Sequence, residues 1–360
     1  MKNINVTKSY LPPIEEYVKK ISLIWENHFL TNYGPLNNEF VEKLKSYLKL
    51  KNIHYVTNGT ISLQLSLEAL DIQEGEIITT PFTFIATSSS IMWQRCKPVF
   101  VDIETNYFNI DVNKIEEKIT ENTKAIMAVH CFGFPCDVKK IEEIARKHNL
   151  YVIYDAAHAF GAKLDGKSLL SYGDIASCSL HATKIFHSVE GGLCVVNNER
   201  FNNKMEAIKN FGKSEDTYSY VGINAKNSEF HAAMGLCVFE HFEEILSTRK
   251  HNYEKYTTLL EKTNLYIPKI KDNVEYNYIY YPVVFETEEQ LLRIFNSLNE
   301  EGIYPRRYFY PSLNELKIFA NSDKYVNSED ISKRIACLPL DTYLSDEEIE
   351  KICDIIIKNI

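Results

Sequence analysis

No stretch of this 360-residue chain approaches the roughly 18 consecutive apolar residues that a membrane span requires. The opening segment, MKNINVTKSYLPPIEEY, lacks the apolar core of a secretory signal, so a cytoplasmic protein is expected. An excess of basic charge is also missing. The net charge is −9, which argues against a nucleic-acid carrier, because phosphate binding needs a basic face. A small anionic ligand stays open, since a few local cations or backbone donors suffice for it. The eight cysteines (Cys96, Cys131, Cys136, Cys178, Cys194, Cys237, Cys337 and Cys353) contain no Cys-x-x-Cys pair. Reduced, mostly buried thiols are expected from them, and no metal site. HCFGFPC, with His130, Cys131 and Cys136, has no second ligand pair at helical or knuckle spacing. No Gly-x-Gly-x-x-Gly opens a helix after the first strand, which sets aside a Rossmann oxidoreductase. Repeats, low-complexity tracts and flexible linkers are absent too.

What is present is an ordinary globular composition, 45% hydrophobic and 25% charged, long enough for one large or two moderate domains. Helical and strand patterns alternate. NNEFVEKLKSYLKL and TISLQLSLEALDI carry apolar residues at helical spacing. EIITT, KPVFVDI, KAIMAVHCFG, LYVIYDA, DIASCSL and GGLCVVN read as strands, with the helix DVKKIEEIARKHNL among them. Such alternation predicts an α/β unit with a largely parallel, buried sheet. After about Lys250 the pattern changes to helices around the aromatic strand YNYIYYPVVFET, giving a smaller α+β domain. The expected division is a large domain over 1–245 and a small one over 246–360, with one long helical stretch from Ser228 to about Glu261 at the join. Ligands in α/β sheets sit beyond the carboxyl ends of the strands, and here that edge would face the second domain.

Two residues stand at such ends. Asp155 closes the strand YVIYD, and Lys184 follows DIASCSLHAT. A lone lysine at a sheet edge is commonly a solvated surface residue. Here Ser177, Ser179, Ala182 and Thr183 precede it and the glycines of EGG follow, read as flexible and leaving room for a bulky ligand. Pyridoxal 5′-phosphate chemistry gives a reason for each part: an amine to bond the cofactor and move a proton, and a carboxylate to keep the pyridine nitrogen protonated. Burial would lower the lysine's pKa and make it a competent nucleophile near neutral pH. Asn58-Gly59-Thr60 opens a helix, where free N–H groups favour a phosphate, although the same triplet also reads as a plain capped helix start. Phe84, set among small polar residues, suits stacking on an aromatic ring or a place in the core.

At these residues the sequence resembles the DegT/DnrJ/EryC1/StrS family of pyridoxal-phosphate-dependent sugar aminotransferases, over nearly the whole chain. The blocks that carry the likeness are VTNGTISLQLSLEAL, TTPFTFIATSSSI, YDAAHAFGA, SLHATKIFHSVEGG, VGINAKNSEFHAAMGL and CLPLDTYLSDEEIEKI. The resemblance implies the aspartate aminotransferase (type I) fold. It implies that Lys184 bonds the cofactor, Asp155 faces the pyridine nitrogen, Phe84 stacks on the ring and His158 contacts the ring hydroxyl. Gly59, Thr60 and Ser179 would hold the phosphate, with Asn224 supplied by the partner chain of a homodimer that shares its active sites. Substrates would be a nucleotide-linked keto-sugar and L-glutamate, with the pyridoxamine form between the two half-reactions.

Departures from the family pattern are Lys226 where arginine is common, His158 where glutamine is common, and His187-Ser188-Val189 ahead of EGG. None touches the catalytic pair. In YPRRYFYPSL, Arg306, Arg307 and Tyr308 would lie across the cleft mouth, the arginines pairing with a diphosphate or donor carboxylate, or else forming a solvated turn. His181 and Glu190 flank the lysine, and His181 would either reach sugar phosphates or cap its turn. The expected reaction aminates a dTDP- or UDP-linked keto-6-deoxyhexose, at C-4 in preference to C-3, for surface polysaccharide or lipopolysaccharide. The alternatives are a nucleotide-sugar dehydratase using the same cofactor, and a non-catalytic protein that has kept the fold.

Overall fold

Seven short strands carry the frame, in a computed structural model that describes residues 3–319 and 323–360. They are β1 (Ile53–Val56), β2 (Glu76–Thr79), β3 (Lys97–Phe100), β4 (Thr123–Val129), β5 (Tyr151–Asp155), β6 (Ile175–Ser179) and β7 (Gly192–Val196). Their order across the sheet is β1-β7-β6-β5-β4-β2-β3, and only β7 runs antiparallel to the rest. Successive side chains on a strand face opposite ways. Ile126, Ala128, Val152 and Tyr154 therefore feed one core layer, while Ala125, Met127 and Ile153 feed the other. A sheet buried on both faces explains why its strands read as nearly continuous apolar runs. This is the mostly parallel α/β architecture of the type I fold.

The later part holds β8 (Tyr281–Val284), antiparallel to β9 (Ile335–Leu338), with helices Glu288–Glu300, Val326–Arg334 and Asp346–Asn359. The aromatic strand expected over 276–287 is extended only in β8. Before it, Arg249 binds the carbonyls of Tyr278 and Ile279 at 2.9 and 2.6 Å, so those groups are not free for a sheet ladder. Asn277 meanwhile donates to the carbonyls of His158 and Phe160 at 2.8 and 2.9 Å, pinning the turn that follows β5. The single long helix expected from Ser228 is two, Glu229–Glu240 and Phe242–Leu260, broken at His241. Among the described residues no helix is long and apolar enough to cross a membrane. All eight cysteines are buried and unpaired.

Candidate active site

The register of the sheet sets Asp155, the last residue of β5, between Val129 on β4 and Ser177 on β6. These three line a cavity of about 850 Å³ beyond the strands' carboxyl ends. Lys184 lines it too, in the loop between β6 and β7, where its backbone N–H closes a turn onto the His181 carbonyl at 2.8 Å. Burial pushes the Lys184 amine down to about 8, and the nearby Asp155 carboxylate and Cys178 thiol pull it back only in part. A usable fraction of that amine is therefore neutral near neutral pH.

Asp155 is only 7% exposed. Its Oδ2 accepts from the Thr87 hydroxyl at 2.7 Å, and its Oδ1 from the Ala157 amide at 3.1 Å. Burial raises its pKa, while those two bonds and the charge of Lys184 oppose the rise. His158 lies parallel to Phe132 and Phe309, with Tyr280 edge-on at 5.0 Å. Burial, helped by the Lys184 charge, holds this imidazole well below its ordinary pKa. Its Nδ1 faces the Phe132 amide at 3.2 Å and must accept there, so the ring proton belongs on Nε2. A neutral histidine held in this way is a donor.

Also lining the cavity, Asn58 caps helix Gly59–Ala69, its Oδ1 accepting from the Ile61 amide at 2.9 Å. Among the described residues the amides of Gly59 and Thr60 have no protein acceptor, as a first helical turn leaves them. The space is tight: a Cβ on Gly59 would lie 3.0 Å from that of Ser179. Ser179 Oγ accepts from the His181 amide at 3.3 Å, leaving its own proton to donate. Phe84, the residue before helix Ile85–Trp93, is 56% exposed and borders the same cavity. These groups fit pyridoxal 5′-phosphate: free amides at a helix start for the phosphate, an aromatic face for the ring, and a carboxylate and an amine for its two reactive positions.

Most of the remaining expected residues meet here as well. His181, Glu190, Arg306 and Tyr308 all line the cavity. His181 caps its own turn, with Nδ1 accepting from the Thr183 amide at 3.2 Å, and also sets Nε2 3.4 Å from Glu190 Oε1. Arg307 departs from expectation. It bonds Glu288 at 2.6 Å and the Lys333 carbonyl at 2.9 Å, stacks over Tyr310 and is not among the lining residues. Alternation along an extended segment turns the two neighbouring arginines opposite ways, and Glu288 captures the one that points away from the cavity. Asn224 stands off its own chain's cavity, its Oδ1 accepting from Lys226 at 2.9 Å.

The glycines after Glu190 serve a different purpose from the one expected. A Cβ on Gly192 would run into the backbone of Asn58 and Gly59, and one on Gly191 into the Ser188 hydroxyl. They permit close packing of protein on protein rather than flexibility for a ligand. Asn227, His231, Tyr280 and Phe309 also line the cavity and escape sequence reasoning. Each sits in a stretch that reads as ordinary core or helix start. Only the aromatic run around Tyr308 hinted at Phe309.

Residues 14–357 match the DegT/DnrJ/EryC1/StrS aminotransferase family. The chain belongs to that family. Two curated relatives in it bear the name dTDP-4-amino-4,6-dideoxy-D-glucose transaminase. One, from Shigella dysenteriae, is 40% identical over 98% of this chain and 97% of its own length. The other, from Escherichia coli, is 36% identical over 99% and 98%. Among solved structures, DesI crystallised in the presence of its TDP-sugar product matches with a TM-score of 0.94 and 28% identity, over 99% of this chain and 92% of its own. This member of the DegT/DnrJ/EryC1/StrS aminotransferases is thus a transaminase of the pyridoxal-phosphate-dependent type.

The opposite orientations of Arg306 and Arg307 give a paired test. Arg306→Ala is expected to lower kcat/KM about ten- to a hundredfold, the weight of a charged hydrogen bond, and to leave the melting temperature in place. Arg307→Ala should instead lower the melting temperature and spare kcat/KM, because its partners are Glu288 and Lys333. Steady-state kinetics beside thermal melts separate the two.

Proposed function

We propose that the enzyme moves an amino group from L-glutamate to C-4 of a dTDP-linked 4-keto-6-deoxyhexose. The observation that carries the reading is the pairing of Lys184 and Asp155 at neighbouring strand ends in one cavity, within a chain 40% identical to a transaminase named for a dTDP-4-amino sugar. Bound in this cavity, pyridoxal 5′-phosphate supplies a reactive carbonyl and a ring that takes up negative charge from the substrate carbon. Lys184 provides the amine that holds the cofactor and then carries a proton on Nζ to and from the reacting carbon. Asp155 accepts from the ring N–H and keeps that proton in place. His158 donates from Nε2 to the ring oxygen, Phe84 covers the ring, and Gly59, Thr60 and Ser179 hold the phosphate. Arg306, Tyr308, His181 and Glu190 form the mouth that receives glutamate and the sugar in turn. Asn224 acts in the site of a second copy, so the working form is a homodimer. The cleft lies between the parts spanning 1–245 and 246–360, and the amino sugar is a precursor for surface polysaccharide or lipopolysaccharide made in the cytoplasm.

The test is a pair of half-reactions followed by absorbance and mass spectrometry. Glutamate is expected to bleach the visible band of the bound cofactor. The 4-keto dTDP-sugar should then restore that band, and its 3-keto isomer should not. Restoration by the 3-keto sugar alone would move the reaction to C-3. A band that glutamate leaves untouched would point to another amino donor or to the dehydratase alternative.

A further inference from the structure

Asp155 is a buried carboxylate whose surroundings work against its charge, and the groups that preserve the charge can be counted. Burial raises its pKa, and the Thr87 hydroxyl is the strongest opposing influence, ahead of the Ala157 amide and Lys184. The Ala157 amide belongs to the backbone, and Lys184 is engaged by the cofactor during turnover. That leaves Thr87 as the one side chain donating a hydrogen bond to the carboxylate among the described residues.

Thr87, in the first turn of helix Ile85–Trp93, does not behave as helical threonines usually do. Such residues commonly return their hydroxyl to the carbonyl one turn back. Here Oγ1 reaches across to Asp155 Oδ2 at 2.7 Å, with Thr87 fully buried. An ionised carboxylate only accepts, so the Thr87 proton is committed to Asp155, leaving a lone pair on its oxygen free to accept from another donor. Thr83 fills it, Oγ1 to Oγ1 at 2.9 Å, and is itself 2% exposed and part of the cavity wall. The chain of protons thus runs one way, from Thr83 to Thr87 to Asp155, each bond polarising the next. Phe84 lies between the two threonines in sequence, so one helix entry delivers both the exposed ring and the support for the carboxylate.

We propose that Thr87, backed by Thr83, is a positioning residue that keeps Asp155 ionised and fixed in orientation for a protonated ring nitrogen. This rests on the reading of Asp155 given above. The titratable groups facing Asp155 are Lys184 and Cys178 from β6 and its loop, Cys131 from the turn after β4, and His158 from its own turn. Both thiols have pKa values raised by burial and His158 is held neutral by it, so Lys184 is the one neighbour that changes charge near neutral pH.

The experiment titrates the Asp155 carboxyl by ¹³C NMR in the apoprotein, for wild type, Thr87→Val and Thr87→Ser, beside the cofactor Kd and the pH profile of the glutamate half-reaction. Valine keeps the shape and loses the donor. It is expected to raise the Asp155 midpoint by about one to two pH units, the equivalent of one hydrogen bond to a charged group. The acid limb of the half-reaction should move up with it, and the cofactor Kd should rise. Serine keeps the hydroxyl and should restore all three. A valine variant that titrates like wild type overturns the proposal, and so does a serine variant that titrates like valine, which would assign the effect to the methyl group. Should the valine variant not fold, Thr83→Val removes only the second link and is expected to give a smaller shift in the same direction; no shift there counts against the chain. The apoprotein titration involves neither glutamate nor sugar, so failure of the transamination reading would appear separately, as wild type that glutamate does not bleach.

Discussion

Replacement of Lys184 by alanine is expected to abolish turnover, with kcat falling roughly 10⁴-fold, the upper end of what one positioned acid–base group contributes. No other amine lines the cavity among the described residues; the remaining cationic or basic groups there are Arg306 and the imidazoles of His158, His181 and His231. Guanidinium stays protonated, and the His158 ring is fixed by the Phe132 amide, so neither Arg306 nor His158 can take over the proton at the reacting carbon. Lys184→Arg should therefore fail as completely as alanine although it keeps the charge. A further measurement addresses the amine itself. The rate at which apoenzyme captures pyridoxal 5′-phosphate should rise with pH through a midpoint of about 8, against 10.5 for an ordinary lysine. The sign follows from burial, which penalises the charged form and frees the nucleophile at lower pH. Retained steady-state transamination in the alanine variant, or a capture midpoint near that of free lysine, would remove Lys184 from its role.

Asp155→Asn is expected to lower the rate by about 10²- to 10³-fold, the scale seen when a fixed electrostatic partner of a transition state is removed. Asparagine keeps the shape and can still accept from Thr87 or Ala157, so the fold should survive. Stability should move the other way or not at all. Burial works against the native carboxylate, and a neutral replacement relieves that penalty, so the melting temperature of the apoprotein should stay level or increase. Lower activity with equal or greater stability is the mark of a group kept for function. Asp155→Ala makes a useful contrast, because it leaves the Thr87 hydroxyl and Ala157 amide without their acceptor and should lower stability as well. Near-wild-type kinetics in the asparagine variant would end the assignment.

The frame of the molecule was legible in its sequence because burial on both faces of a parallel sheet writes apolar runs that helices punctuate. Asp155 and Lys184 could be singled out because charged residues ending apolar runs are conspicuous, and Asn58-Gly59 because a helix start has a local code. Legibility ended where a side chain's partner lies far along the chain. Arg306 and Arg307 are neighbours of the same type, and only Glu288, 19 residues away from Arg307, separates their fates. Thr87 looks like any small polar residue in a helix until Asp155, 68 residues on, is set beside it. The glycines of EGG were visible, but flexibility and close approach produce the same letters. The aromatic run over 276–287 has strand-like composition throughout, and the Arg249 and Asn277 hydrogen bonds that hold its first half out of a sheet are not encoded nearby.

The placement of β7 has a consequence in time. Among the described residues β1 pairs with no strand except β7, so the edge bearing the Asn58-Gly59 turn waits for residues 192–195, well over a hundred positions later in synthesis. Until Gly192 docks against Asn58 and Gly59, that turn lacks the surface that shapes it. Contacts so distant in sequence form late, after the cost of closing a long loop has been met. Strands β2 to β6 all precede Gly192 in sequence, whereas the Asn58-Gly59 wall of the cavity is packed only once β7 is in place. Completion of the cavity is thereby tied to completion of the sheet, a condition that a chain ending before β7 does not meet.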